Sequence, residues 1–145
     1  MAVIKQTIDI AASAEQLWDR LADVGHWPEW TPSVRRIDLL TGPLKMGARV
    51  RIDQPRLKPA VWTVELWQPH RQFTWATRSP GLSIVADHQI RRQQGYCAVE
   101  FSLAFGGLFG PIAQFFFGKL TRQYLAMEAA GLKKLCEQGS NPSQA

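Results

Sequence analysis

The 145-residue chain lacks most features that would commit a sequence to one chemistry. It has two cysteines, Cys97 and Cys136, at a spacing that fits neither a metal site nor a redox pair. They are expected to be reduced thiols in a cytoplasmic protein. Its three histidines show no ligand spacing and no carboxylates cluster with them, so no metal site is expected. No Gly-x-Gly-x-x-Gly or phosphate loop occurs, and the Gly106–Pro111 segment lacks the Lys and Ser/Thr of a phosphate cradle, so no nucleotide cofactor is expected. No serine sits in a nucleophile elbow, and neither cysteine has an evident histidine partner. The longest apolar stretch, Gly106 to Gly118, falls short of the roughly 20 residues of a membrane span and is interrupted by Gln114. The opening MAVIKQTIDI has no continuous apolar core and no cleavage site after one, so no secretory signal is expected. Ordinary Gly and Pro content and the lack of repeats exclude collagen-like, disordered and solenoid chains.

What is present is one domain's worth of apolar residues. Apolar side chains make up 46% of the chain and charged ones 20%, enough to fold without staples. The net charge is +5. All of that excess lies between Arg35 and Lys58, where Arg35, Arg36, Lys45, Arg49, Arg51, Arg56 and Lys58 meet only Asp38 and Asp53. Such a ribbon can steer RNA phosphates or acidic lipid heads, with Arg35, Arg36, Arg49 and Arg51 as the contact residues. It can equally be the wet face of a strand, since Val50 and Ile52 alternate with Arg49 and Arg51.

Periodicity orders the elements. Residues 3–10 alternate as a strand. Ser13 opens a Ser-x-x-Gln capping box for a helix carrying Ala14, Leu17, Trp18 and Leu21, with Gly25 as its stop. Pro28 and Pro32 mark a short turn or one-turn helix bearing Trp27 and Trp30. Six segments of strand character follow, at about Val34–Leu40, Ala48–Asp53, Ala60–Gln68, Gln72–Thr77, Leu82–Arg92 and Tyr96–Ala104, separated by Gly, Pro and Gln turn chemistry. After Gly110-Pro111 the period becomes helical for roughly 25 residues, ~40 Å, on a stripe of Ala113, Phe117, Leu120, Tyr124, Met127, Gly131 and Leu135 with Phe116 beside it. A domain over 1–138 and a disordered polar tail over 139–145 are expected. One long apolar helix must then cover the dry face of a seven-stranded antiparallel sheet, an α+β arrangement in which helix and sheet diverge around a gap.

SAEQLWDRLADVGHWPEWTPSV, GARVRI, PAVWTVELWQPHRQFTWATRSPG and DHQI leading into GYCAVEFSLAF resemble the polyketide cyclase/dehydrase branch of the START-like superfamily. The resemblance covers about residues 2 to 137. It implies the helix-grip fold, and loosely a function, since members include ligand carriers, cyclases, hydrolases and quinone-binding proteins.

Strand alternation then proposes a lining. Trp62, Val64 and Leu66 share a face, as do Phe73 and Trp75, and as do Leu82, Ile84, Ala86, His88 and Ile90; Cys97, Val99, Phe101 and Leu103 complete the set, facing Phe116, Phe117, Leu120, Tyr124 and Met127. With Trp30 at the mouth, these residues either line a cavity or fill the core. His88 interrupts an apolar register: it hydrogen-bonds a ligand or moves a proton, or it is a core histidine bonded to a hydroxyl such as that of Tyr124. Trp27 and Trp30 gate the mouth or plug the core beneath the first helix. The apolar run from Gly106 to Gly118 is a lid, a membrane-touching tip or a buried helix start.

Three functions remain open. The first is binding of a small hydrophobic or aromatic ligand, lipid-, polyketide- or quinone-like, between sheet and helix. The second is a cyclase or dehydratase with His88 as general acid/base and no metal or nucleotide cofactor. The third is a basic-surface module for RNA or acidic lipid.

Overall fold

The computed structural model describes residues 2–139. The chain runs β1 (Ala2–Ile10), α1 (Ala14–Leu21), a 3-10 helix (Val24–Glu29), β2 (Arg36–Leu39), β3 (Arg49–Asp53), β4 (Ala60–Gln68), β5 (Gln72–Ser79), β6 (Leu82–Arg92), β7 (Cys97–Gly106) and α2 (Gly110–Gly139). The strands form one antiparallel sheet in the order β1-β7-β6-β5-β4-β3-β2, so after the β1-to-β2 crossover each strand pairs with the next. This is the α+β helix-grip arrangement. Residues 140–145, most of the expected tail, lie outside the described residues, and Gly139 ends α2.

The capping box at Ser13 is formed: the Gln16 amide donates to Ser13 Oγ at 3.1 Å and the Ser13 amide donates to Gln16 Oε1 at 3.0 Å. Gly25 does not end this helix. The chain leaves it at Ala22 in right-handed geometry and tightens into the 3-10 helix that contains Gly25. That tight turn drives Trp27 into the core, where its indole Nε1–H donates to the Leu21 carbonyl at 3.0 Å.

Two registers differ from the strand-by-strand expectation. A bulge between Val64 and Leu66 shifts the β4–β5 pairing. Beyond it Trp67 rather than Leu66 turns inward, meeting Trp18 with ring centroids 4.9 Å apart. Along α2 the buried face is Ala113, Gly118, Tyr124, Leu125, Glu128, Ala129, Leu132 and Cys136. Leu120 is only partly buried, and Phe116 and Met127 point outward. Of the expected stripe, Ala113 and Tyr124 lie on the buried face, Gly131 and Leu135 are partly buried, and Phe117 is about half exposed. The buried face also takes in small residues outside the stripe, Gly118 and Ala129, because α2 packs closely against β1 and β7.

The tightest approach is at Gly131, where an added Cβ would drive into the Trp30 carbonyl oxygen and lie 3.1 Å from Trp30 Cε3. Gly131→Ala therefore separates the helix from the 3-10 segment. It is expected to cost about 1–3 kcal/mol in urea unfolding, as overpacking does. Gly25→Ala, whose methyl would meet only Leu39 Cδ1 at 3.8 Å, should be close to neutral. Equal effects from the two variants would remove the close-approach account.

Candidate functional site

β6 places Ile84, Ala86 and His88 on one face by simple alternation, and the ladder sets His88 opposite Phe73 on β5 and Phe101 on β7. The imidazole stacks on Phe73 at 4.2 Å and 17°, and meets Trp27 and Trp75 edge-on at 5.5 Å each. Between this cage and α2 lies a cavity of about 200 Å³. Trp62, Trp75, Ile84 and Leu103 form its sheet wall, Ala113, Thr121, Leu125 and Glu128 its helix wall. Lys58 and Phe117, both exposed, mark its rim, with Leu57 beside them.

The wall carries two buried ionisable groups on opposite sides. His88 Nδ1 lies 3.1 Å from the Phe73 carbonyl oxygen, which accepts and so fixes the proton on Nδ1. Burial lowers its pKa to about 4, outweighing the raising effects of that carbonyl and of Asp87. The ring is neutral near pH 7. Among the described residues its Nε2 has no hydrogen-bond partner, yet no buried polar side-chain atom there is unsatisfied. Nε2 therefore opens onto the cavity as an acceptor. Glu128 Oε2 accepts from Ser33 Oγ at 2.9 Å, and Ser33 Oγ in turn lies 2.8 Å from Thr31 Oγ1. Burial raises the Glu128 pKa to about 7 against the lowering effect of Ser33. Its second oxygen, also without a protein partner, opens onto the same space. The cavity thus holds a lone-pair acceptor and a carboxyl whose protonated form burial favours.

A family model described as polyketide cyclase / dehydrase and lipid transport matches residues 1–137. The chain belongs to that family. Solved structures with the same fold include a START superfamily protein from Mycobacterium smegmatis, 18% identical, TM-score 0.72, covering 95% of this chain and 99% of that one. Norcoclaurine synthase from Thalictrum flavum, in complex with dopamine and hydroxybenzaldehyde, is 15% identical with a TM-score of 0.75, covering 97% and 88%. The ZhuI aromatase/cyclase from Streptomyces sp. R1128 is 14% identical with a TM-score of 0.74, covering 98% and 97%. At such identities the likeness establishes the START-like fold. A comparison with curated proteins finds no match.

Within this polyketide cyclase/dehydrase domain, Trp62, Trp75, Leu82, Ile84, Ala86, His88, Leu103, Phe117 and Tyr124 of the expected lining border the cavity. Val64, Phe73 and Phe101 do not; they are fully buried packing behind it. Trp30 lies on the far side of Trp27, 5.3 Å away, under Gly131. Leu120 is off the lining and Phe116 faces away from the sheet, because the helix is rotated toward its small residues. Tyr124 does not bond His88: its hydroxyl donates to the Pro55 carbonyl and ties the β3–β4 loop to α2. Glu128 is the residue that strand-and-stripe reasoning missed. Its signal was present, since it is the only acid between Glu100 and Glu137 and lies in helical phase with Leu125, Ala129 and Leu132.

Two of the seven cations of the basic ribbon stand opposite acids. Arg36 stands opposite Asp53 and Arg51 opposite Asp38 across β2–β3, and Arg36 Nε also donates to Asp38 Oδ1 at 3.0 Å. Arg49 is exposed, and Arg35 precedes β2 close enough to Tyr124 to oppose the rise in its pKa. Among the described residues no helix is long and apolar enough to cross a membrane.

The two cavity groups pull stability in opposite directions with pH. For His88 the folded value lies below the ordinary 6.5, so its contribution is present above that pH and lost as pH falls toward 4. For Glu128 the folded value lies above the ordinary 4.5, so its contribution is present below 4.5 and lost as pH rises through 7. Glu128→Gln should therefore gain on the parent as pH rises, by up to about 3 kcal/mol between acid and neutral conditions. Urea unfolding at stepped pH measures this, and a pH-independent difference would mean an ordinary carboxylate.

Proposed function

We propose that the protein binds a small, largely apolar ligand, ring-bearing and carrying a hydroxyl or carbonyl, in the cavity between sheet and helix. The observation that carries this reading is the pairing of an aromatic-rich lining with two inward polar groups, His88 and Glu128, on opposite walls. The lining supplies affinity through burial, at roughly 25 cal/mol per Å² before ordering costs. The two polar groups select: His88 Nε2 accepts from a hydroxyl, and protonated Glu128 donates to a carbonyl. At about 200 Å³ the cavity is smaller than the roughly 300–1,000 Å³ of drug-sized sites. That favours a compact ring system over a long acyl chain.

Native mass spectrometry of freshly purified protein, before and after denaturing organic extraction, tests for a resident ligand by its extra mass. Affinity for a compact probe such as 1-naphthol, followed by tryptophan fluorescence, tests the site. Ile84→Trp, which fills space beside Ala86 and Phe105, should weaken that probe at least about tenfold while the protein stays folded. Unchanged affinity in the folded variant would move the binding site elsewhere.

The approach of the Glu128 pKa to neutrality favours a second reading, acid–base chemistry on the bound carbonyl compound. His88 Nε2 takes a proton from the carbon beside a carbonyl while Glu128 gives one to the carbonyl oxygen, producing the enol that precedes ring closure or loss of water. The assay is deuterium exchange from solvent into a bound β-diketone, followed by NMR. The protein should accelerate exchange with an optimum between the two pKa values, and both His88→Ala and Glu128→Gln should lose about 10²-fold or more. Exchange at the solvent rate in the parent protein leaves the binding reading alone.

A further inference from the structure

The run from Leu108 to Phe117 is the most apolar exposed surface among the described residues. Leu108 is 81% exposed, Phe115 83% and Phe116 70%, with Phe109, Ile112 and Phe117 about half exposed. The start of α2 thus buries one face, through Gly110, Ala113 and Gly118, and leaves the other exposed. Three of these side chains, Ile112, Phe115 and Phe116, lie on one face of the first two turns, and Lys119 and Arg122 continue that face. It points away from the face that carries Ala113, Thr121 and Glu128 into the cavity. None of the described residues covers it, so the patch fits an external apolar medium.

Charge narrows what that medium is. No acidic residue occurs from Phe101 to Met127, nor from Gln54 to Val64. These are the two segments that meet at the cavity rim through Phe117, Leu57 and Lys58. They carry the exposed cations Arg56, Lys58, Lys119 and Arg122, none of which has an acidic partner among the described residues. Arg78 nearby is spent on Glu65. Exposed phenylalanines bordered by unpaired cations, with no acid among them, are the composition of an element that lies in a lipid interface. A second copy fits poorly, because a two-fold interface would set Lys119 and Arg122 against their own copies. Six apolar side chains are also few beside the roughly 20–30 residues a side of a stable interface.

We propose that Leu108–Phe117, with Lys119, Arg122, Arg56 and Lys58, docks on the surface of an anionic lipid bilayer. The phenylalanines enter the headgroup–acyl boundary while the cations meet lipid phosphates. Docking sets the cavity rim beside the bilayer, so an apolar ligand exchanges between membrane and cavity with little passage through water. The surface itself does not depend on what fills the cavity.

The test is co-sedimentation of the full chain with vesicles of phosphatidylcholine alone, or with about one third phosphatidylglycerol. Binding to the anionic vesicles should exceed binding to the neutral ones by about tenfold or more, and should fall steeply near 1 M salt, where the Debye length is about 3 Å. The double variant Phe115→Ser/Phe116→Ser should lose binding at low salt. Lys119→Glu/Arg122→Glu should lose the anionic preference. All four positions are exposed, so thermal melting should stay close to that of the parent.

Three outcomes overturn the proposal: no binding to either vesicle; binding untouched by both double variants; or concentration-dependent self-association in analytical ultracentrifugation that Phe115→Ser/Phe116→Ser abolishes. The last result assigns the patch to a second copy. Salt-sensitive binding to RNA that survives loss of the phenylalanines, without vesicle binding, assigns the cations to nucleic acid instead. Loss of 1-naphthol binding in Ile84→Trp with vesicle binding intact separates the cavity from the docking surface.

Discussion

One helix cannot cover seven strands. Strands about 4.8 Å apart spread a flat sheet to roughly 30 Å, whereas a helix with its side chains is about 10–12 Å across. The sheet has to curl, and α2 has to choose which strands to touch. It settles on β1 and β7 and hardly reaches β6. Gly131 lets it sit hard against the carbonyl of Trp30. What it leaves uncovered is the inner face of β3 to β6, and that area mismatch is the cavity. Large side chains from the sheet, Trp62 and Trp75 above all, fill part of the gap without closing it.

A space made in this way is walled mostly by apolar side chains, and burial there sets the chemistry of whatever polar group it holds. A histidine and a glutamate in water are a cation-former near 6.5 and an anion near 4.5. Here the order is inverted: burial favours the neutral form of each, so His88 falls to about 4 and Glu128 rises to about 7. The inversion lets two groups coexist without an ion pair, one as an acceptor and one as a proton carrier. Each is held from behind, His88 by the Phe73 carbonyl and Glu128 by Ser33 backed by Thr31. Their free atoms are thereby aimed into the same volume.

The strand half of this architecture was legible in the sequence, and the helix half much less so. β4, β6 and the capping box were found at their true bounds because alternation and capping are local signals. His88 stood out because it broke an apolar register, and nine of the expected lining residues do border the cavity. The misplacements share a cause. Val64, Phe73 and Phe101 lie on the correct face, but alternation cannot tell a residue beneath the helix from one beneath the gap. Trp67 was hidden by the bulge in β4, which no propensity marks. On α2, hydrophobicity chose Phe116 and Leu120, whereas close packing took Gly118 and Ala129 as well. Glu128 was passed over because a lone acid on a helix ordinarily marks the wet face.

The charge distribution shows the same separation of local pattern from tertiary placement. Counted along the chain, the cations collect between Arg35 and Lys58 and suggest one basic ribbon. Paired across β2 and β3, Arg36 and Arg51 meet Asp53 and Asp38, and that part of the ribbon is close to neutral. Its last two cations, Arg56 and Lys58, lie in the loop beyond β3, where the Tyr124 hydroxyl holds the Pro55 carbonyl. That bond brings the loop to α2, and Lys58 with it to the rim of the cavity. The place of Arg56 and Lys58 at the cavity is thus set by a tertiary bond from α2 that the order of charges along the chain does not show.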